Sequence, residues 1–192
     1  MTDPLTLTIS ALALVVSVAT AWLSLFRRGT VKMTHPSVIY FGPDTPKNGE
    51  HPPYPKVFLR FLLFSTGKRG RIVESMYTSL KRNETMQNFN VWVYGDKELV
   101  RGSGLFIGED GKVFNHHFLT PRDGNNFRFT EGVYSLNVYA KLFGDAHSLF
   151  LFSTSLIVTA EHASALQTNT TGLYFDWSAD SKNYLPHMDQ KT

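Results

Sequence analysis

The sequence contains no cysteine. Disulfide bonds, thiolate metal sites and a cysteine nucleophile are therefore excluded, whichever compartment holds the protein. A strong charge imbalance is also missing, because 19 lysines and arginines face 16 acids and the net charge is only +3. Much of this small excess comes from Arg27, Arg28 and Lys32. The remainder is close to neutral, so we expect no nucleic-acid partner.

The motifs of common enzyme chemistry are missing as well. Leu62 stands where a phosphate-binding loop ending at Lys68 would need its first glycine, and Arg101 stands where a nucleophile elbow around Ser103 would need one. The adjacent His116 and His117 would point to opposite faces of a strand, so they cannot readily share one metal ion. We therefore expect a non-catalytic protein with no catalytic residue, no metal site and no cofactor. The alternative to this expectation is an enzyme whose active site is assembled from residues scattered along the chain.

A long uncharged run opens the chain. No charged residue occurs from Leu5 to Phe26, and a helix over this range would be roughly 33 Å long, enough to cross the hydrocarbon layer. A signal peptide would have a basic start, a shorter apolar core and a small-x-small cleavage site. Here Asp3 precedes the run, and bulky Leu25 and Phe26 end it. We predict a retained transmembrane helix, with residues 1–29 forming the anchor and its basic flank.

The basic flank predicts the orientation of this anchor. Arg27, Arg28 and Lys32 follow the apolar run, and no lysine or arginine precedes it. Because cationic flanks stay on the cytoplasmic side, the rest of the chain should face the cytoplasm. We therefore predict a single-pass protein of the cell (inner) membrane, with its N-terminus outside.

Small side chains follow one face of the predicted helix. Ser10, Ala13, Ser17, Thr20 and Ser24 are spaced three or four residues apart, in line with Thr6. Small residues let two membrane helices approach closely, which predicts self-association or docking on a partner helix. Alternatively, these hydroxyls only hydrogen-bond back to their own helix.

From residue 30 to residue 160 the pattern changes to short β-branched and aromatic segments separated by glycine, proline, asparagine and aspartate. No long amphipathic helix lies between them, which favours antiparallel sheets over βαβ units. A chain of 192 residues is expected to form one folded domain with a single hydrophobic core. The candidate strands are residues 30–41, 56–65, 71–81, 87–95, 112–120, 126–130, 132–143 and 148–160.

One stretch sharpens this architecture. In TEGVYSLNVYAKL a turn at Glu131 and Gly132 precedes Tyr134, and Leu136 begins an apolar alternation. This stretch resembles the tyrosine corner of immunoglobulin-like sandwiches, with Leu136 where an antibody domain has cysteine. The predicted fold class is therefore all-β: an immunoglobulin-like antiparallel β-sandwich preceded by one N-terminal transmembrane α-helix.

Residues 161–192 are predicted to form a C-terminal extension with a short helix and one added strand, followed by a surface tail. This extension is dense in aromatic residues, among them Tyr174, Phe175, Trp177 and Tyr184. Either they close an open sheet edge, or they are presented to a protein partner.

A second basic cluster lies between the candidate strands 56–65 and 71–81, where Lys68, Arg69 and Arg71 surround a turn. If this turn lies at the membrane-proximal end, an anionic leaflet would stabilise each cation by about 1 kcal/mol. Alternatively, it is a solvated hairpin tip whose charges resist aggregation.

Together these features predict a membrane-anchored binding or scaffolding protein that acts in a membrane-associated complex. Its expected partners are the lipid bilayer and a protein, or a second copy of the chain, reached through the helix. The alternative is an exported periplasmic or cell-surface adhesion module of the same fold.

Overall fold

A computed structural model describes residues 3–26, 28–44, 54–96, 98–121, 127–168 and 170–190. Helix α1 (Pro4–Ala21) continues into a π-helical turn (Trp22–Phe26). Asp3 caps its first turn by accepting a hydrogen bond from the Leu5 amide at 3.1 Å, and Pro4 occupies the first helical position, where its missing N–H costs nothing. A second, short helix is α2 (Ala160–Leu166).

The described strands form two antiparallel sheets that pack face to face as a β-sandwich. The larger sheet has the order β13-β12-β2-β3-β9-β6-β7, and β1 pairs with the end of β3. Its strands are β1 (Val31–Met33), β2 (Val38–Asp44), β3 (Tyr54–Ser65), β6 (Val91–Gly95), β7 (Val100–Arg101), β9 (Lys112–Leu119), β12 (Thr171–Ser178) and β13 (Asn183–Gln190).

The smaller sheet has the order β11-β10-β4-β5, and β8 pairs with the start of β4. Its strands are β4 (Arg71–Arg82), β5 (Thr85–Phe89), β8 (Leu105–Ile107), β10 (Gly132–Leu142) and β11 (Leu149–Val158). The predicted β-sandwich with one N-terminal apolar helix is therefore confirmed.

Strand β10 shows how the sequence pattern builds the core. Tyr134, Leu136 and Val138 point inward and are buried, whereas Ser135 and Asn137 between them face outward. The Tyr134 hydroxyl donates to the Thr130 carbonyl at 2.8 Å and accepts from the Thr130 amide at 2.9 Å. This hydrogen bonding is what the predicted tyrosine corner requires.

Several predicted strands differ in detail. The segment 30–41 is interrupted at Thr34–Ser37, which contains Pro36, and residues 87–95 divide at Asn90 into β5 and β6 of opposite sheets. Residues 127–130 of the candidate strand 126–130 are not a strand, and Asn126 lies outside the described residues. The C-terminal extension contains the short helix and two strands, not one strand and a tail, because β13 pairs with β12 along its length.

Candidate interaction surfaces

Helix α1 and its π-helical turn form one apolar segment of 23 residues, Pro4–Phe26. It is long and apolar enough to cross a membrane. None of its residues is buried against the described part of the sandwich. Leucine and valine side chains on every side of this helix therefore lack a packing partner within the described chain.

Four residues of the predicted small-residue stripe lie on α1, namely Ser10, Ala13, Ser17 and Thr20, and Ser24 lies in the π-helical turn that follows it. The hydroxyls of Ser10, Ser17 and Thr20 donate to the carbonyls four residues earlier, at 2.9, 2.8 and 2.7 Å. Their polar groups are thus satisfied within the helix, as in the alternative reading. These hydrogen bonds do not conflict with a helix–helix contact, because the side chains concerned are small.

The linker between helix and sandwich is held by hydrogen bonds. The Thr66 amide donates to the Thr30 carbonyl at 2.8 Å, and the Thr30 amide donates to the Thr66 hydroxyl at 2.9 Å. A Cβ atom on Gly29 would lie 2.3 Å from the Gly67 nitrogen, so the linker backbone touches the Thr66–Gly70 turn. The guanidinium of Arg71 donates to the Gly29 carbonyl at 3.0 Å. The point where the helix joins the sandwich is therefore fixed.

This attachment defines what we term the helix-proximal end of the sandwich: the turns Thr66–Gly70, Gly108–Gly111 and Phe143–Ser148, with the strand ends beside them. Of the predicted basic residues, the structure brings Arg28, Lys32, Lys68, Arg69 and Arg71 to this end. Arg27 lies outside the described residues.

The basic residues at this end differ in environment. Lys68 and Arg69 are exposed at the turn, and Arg28 and Lys32 are exposed beside it. The side chain of Arg71 is only 13% exposed and forms a 2.7 Å ion pair with Asp145 of the Phe143–Ser148 turn. Arg71 thus joins three segments and has little charge free for an outside partner.

The outer face of the larger sheet carries a row of rings from five strands. His187, Tyr174, Tyr40, Phe58 and His117 stand directly opposite one another on β13, β12, β2, β3 and β9. Neighbouring ring centroids lie 5.3 Å apart for His187 and Tyr174, 4.8 Å for Tyr174 and Tyr40, and 5.0 Å for Phe58 and His117. We term these five residues the aromatic row.

Tyr40 is the central residue of this row. Its ring lies across two glycines, since a Cβ atom on Gly172 or Gly42 would come within 2.0 or 2.4 Å of it. Burial, and then the nearby Tyr174 and the carboxylates, raise the pKa of Tyr40, so its hydroxyl stays protonated. Lys56 reaches over the ring with its Nζ 5.6 Å from the centroid, and it pairs with Asp44 at 2.9 Å. A shallow depression of about 200 Å³ lies between Tyr40, Lys56, Phe58, His117 and Tyr174.

The C-terminal aromatic residues have separate environments. Strand β12 pairs with β2, so the extension covers the edge of the sheet, as one of the two readings expects. Phe175 is buried against the core, and the buried Tyr184 donates to the Pro36 carbonyl at 2.9 Å. Trp177 stacks on His35 with centroids 4.5 Å apart. Of the four aromatic residues predicted to bind a partner, Tyr174 joins the aromatic row.

The two adjacent histidines point to opposite faces, as the sequence predicts. His117 belongs to the aromatic row, whereas His116 is fully buried between the sheets and stacks on Phe61 with centroids 4.1 Å apart. The Trp92 indole N–H donates to His116 Nδ1 at 3.1 Å. In the described part of the chain, no three histidine or acidic side chains are grouped to hold a metal ion.

A cleft of about 350 Å³ lies at the opposite end of the sandwich, beside the tyrosine corner. Arg82 and Arg128 line it, but Arg82 donates to the Glu131 carbonyl at 3.2 Å and Arg128 to Gln167 at 3.4 Å. Both arginines are therefore engaged with the protein itself.

The sequence reasoning missed most of the aromatic row. Tyr40, Phe58 and His187 come from segments far apart in the chain, and only the register of long-range strand pairs brings them into line. The apolar and aromatic character of residues 38–41 and 56–65 predicts strands, but it does not say which neighbour stands opposite each ring.

No protein-family model matches this chain, and no curated protein matches it. The residues themselves therefore carry the functional inference. They are an apolar helix that packs on no other part of the described chain, its attachment through Gly29 and Thr30, and a surface row of rings.

Proposed function

We propose that this chain is a single-pass membrane protein that holds its β-sandwich at the membrane surface as a non-catalytic binding or scaffolding module of a membrane-associated complex. The observation that carries this proposal is the exposed apolar helix Pro4–Phe26. In water, Leu14 would be 66% exposed and Val15 64% exposed. A soluble protein would cover such a helix, and a bilayer of about 30 Å of hydrocarbon does so over its whole length.

The flanking charges support a cytoplasmic sandwich. Arg28 and Lys32 follow the helix together with Arg27 in the sequence, and Asp3 precedes it. Cationic side chains near the end of a membrane helix are retained on the cytoplasmic side. The proposed placement is therefore the cell (inner) membrane with the N-terminus outside.

We further infer that the sandwich is immunoglobulin-like. Strands β2, β3, β9 and β6 follow the order A, B, E and D, and β11, β10, β4 and β5 follow the order G, F, C and C′. The hydrogen bonds of Tyr134 lie at the start of β10, which corresponds to strand F. Sandwiches of this kind host many unrelated functions, so the fold supports a binding role without naming the partner.

The aromatic row is the surface best suited to a protein partner. Phe58, His117 and Tyr174 are partly exposed, and each packs against a neighbouring ring at a tilted angle. Rigid aromatic side chains give a large contact area with little loss of conformational entropy, and they are enriched in protein interfaces. The small-residue stripe of the helix offers a second contact, to a membrane helix.

Reporter fusions test the placement. A reporter that is active only in the periplasm, fused after the sandwich, should stay inactive, whereas a cytoplasmic reporter at the same position should be active. The opposite pattern would favour the exported adhesion module.

Affinity purification of the full chain in mild detergent tests the binding role. Phe58→Ser with His117→Ser should lose the co-purified protein, and Tyr77→Ser with Tyr139→Ser, a ring pair on the outer face of the smaller sheet, is the matched control. Retention of all bound proteins by the first pair would contradict a role for the aromatic row.

The same purification tests the helix stripe. Ala13, Ser17 and Ser24 changed to leucine should alter the oligomer size or remove a membrane partner. Leu7, Leu14 and Leu25 changed to isoleucine alter a different face and serve as the control. An unchanged assembly in both variants would show that the stripe faces lipid only.

A further inference from the structure

The helix-proximal end carries large apolar side chains in contact with solvent. Phe143 is 68% exposed, Phe106 55% and Ile72 44%. Phe150, which is also exposed, follows the Phe143–Ser148 turn by two residues. Within the described sandwich, every exposed phenylalanine thus lies at or beside the end where the helix is attached. Clustered exposed apolar groups of this kind mark an interaction surface.

Three of these side chains are fixed next to one another by the strand pairing. Ile72 on β4 stands opposite Phe106 on β8, and the Phe143 amide donates to the Ile72 carbonyl at 2.9 Å. The Phe106 ring lies against Gly70, where a Cβ atom would be 2.5 Å from it. Gly70 ends the turn that carries Lys68 and Arg69. Apolar and cationic groups are therefore adjacent on one rigid surface.

The linker limits how far this surface can lie from the end of the helix. Four residue steps separate Phe26 from Thr30, which span at most about 14 Å when fully extended. Thr30 is hydrogen-bonded to Thr66, and Gly29 touches Gly67. The headgroup layer extends roughly 5 to 8 Å beyond the hydrocarbon. If the helix spans the bilayer, the helix-proximal end thus lies within or directly above the headgroups.

The charges at this end suit an anionic surface. Arg71 is paired with Asp145, and Lys141 donates to the Ala146 carbonyl at 2.9 Å, so these groups are engaged internally. The other charged residues on these turns and strand ends are exposed, and most of them are cations. The cations are Arg28, Lys32, Lys68, Arg69 and Lys112, and the acids are Glu74, Glu109 and Asp110. Basic residues near the surface are attracted by anionic lipids.

We propose that the helix-proximal end rests on the bilayer that the helix spans, with Phe106 and Phe143 inserted among the lipid headgroups and Lys68 and Arg69 against lipid phosphates. This contact rests on the proposed membrane-spanning helix. It fixes the sandwich upright, so that the aromatic row on the side of the sandwich stays open to a partner. Amphipathic surfaces insert their apolar groups into this boundary in the same way.

The absence of cysteine allows a direct test. Single-cysteine variants of the full chain are labelled with an environment-sensitive fluorophore and reconstituted in vesicles of phosphatidylcholine and phosphatidylglycerol. Some vesicles contain lipid brominated near the glycerol end of its chains, others lipid brominated near the chain centre. Labels replace Phe106, Phe143, the exposed Ile157 near the far end of β11, and Leu14 in the helix. Ile157 lies about 26 Å along the strand from Leu149.

The labels at 106 and 143 should lose most of their emission to lipid brominated near the glycerol end, and the label at 157 should keep its emission. The label at 14 should be quenched by lipid brominated at the chain centre. If 14 is quenched but 106 and 143 behave like 157, the surface contact is refuted and the spanning helix stands. If 14 is not quenched, the spanning helix fails and the contact fails with it.

Protection without quenching is a third outcome. If aqueous iodide cannot reach the labels at 106 and 143 and brominated lipid does not quench them, protein covers this end, either a partner or a second copy. That result would also overturn the proposed lipid contact.

The charge contribution has its own control pair. Lys68→Glu with Arg69→Glu should reduce quenching of the label at 143 in vesicles containing phosphatidylglycerol. Lys81→Glu with Arg82→Glu changes two cations at the opposite end of β4 and should leave that quenching unchanged. Equal quenching in both variants would remove the cations from the proposed contact.

Discussion

Neutral His116 should make the stability of the sandwich depend on pH. Burial, and then the neighbouring His117, lower the pKa of His116 to about 3. In the unfolded chain a histidine titrates near pH 6.5. Between these values the unfolded chain binds a proton that the folded chain does not. The stabilisation is therefore complete above about pH 6.5 and is lost progressively as the pH falls toward 3.

The magnitude follows from the distance between the two pKa values. At pH 4.5 the folded state should have lost about 3 kcal/mol relative to pH 7, because two pH units each contribute about 1.4 kcal/mol. His116→Phe removes the titrating group and keeps a ring against Phe61. At pH 7 the variant also leaves the buried Trp92 indole N–H without its acceptor, which costs about 1–3 kcal/mol. That cost is the same at both pH values.

Urea unfolding of the full chain in a non-ionic detergent, followed by tryptophan emission at pH 7 and pH 4.5, measures this effect. The stability of His116→Phe relative to the natural chain should rise by about 3 kcal/mol on going to pH 4.5. His147→Phe changes an exposed histidine and controls for the loss of one imidazole. The reasoning is refuted if the difference between His116→Phe and the natural chain is the same at both pH values.

Two further substitutions test packing by the same unfolding assay. Tyr134→Phe should cost about 1–3 kcal/mol, because it removes two part-buried hydrogen bonds to the Thr130 backbone. Tyr139→Phe on the outer face should change stability by less than about 0.5 kcal/mol, and equal effects would contradict the tyrosine corner. Gly172→Ala should lower the free energy of unfolding by about 1–3 kcal/mol, because the new Cβ atom displaces the buried Tyr40 ring. Gly108→Ala is the control, since Gly108 has space for a Cβ atom, and it should leave the stability nearly unchanged. An unchanged stability in Gly172→Ala would show that the Tyr40 ring moves freely.

The sequence is sufficient to predict elements whose signal is local. The apolar run gives the helix, the alternation from Tyr134 onward gives β10, and strand geometry separates His116 from His117. In each case the deciding property is local, either an unbroken uncharged run or an alternation of period 2, so no knowledge of distant partners is needed.

The sheet to which each strand belongs could not be predicted in this way. Residues 87–95 read as one strand, yet Phe89 lies on β5 of the smaller sheet and Val91 on β6 of the larger one. A single residue, Asn90, makes the crossing. The buried positions shift phase there, from Phe89 to Trp92, and the unbroken apolar run of residues 91–94 hides this shift in the sequence. Likewise β13 has Pro186 in its middle, which weakens its strand signal, but it forms the outermost strand of the sheet beside β12, where a missing N–H is tolerated.

The interaction surfaces depend on long-range register even more strongly. Phe106 and Phe143 are unremarkable in sequence, because single exposed apolar residues are common. Their proposed role depends on their position beside the helix. The pairing of β8 with β4 and the hydrogen bonds between Thr30 and Thr66 place them at the end of the sandwich to which the helix is attached.

The side of the membrane on which the sandwich lies is the most direct test of the account. A single cysteine at the exposed Glu84, in the turn between β4 and β5 at the end of the sandwich opposite the helix, is treated with a membrane-impermeant maleimide in spheroplasts and in inverted membrane vesicles. The account predicts labelling in the inverted vesicles alone, with the full-length chain in the membrane fraction. Labelling in intact spheroplasts, or recovery of a shortened chain from the aqueous fraction, would contradict it.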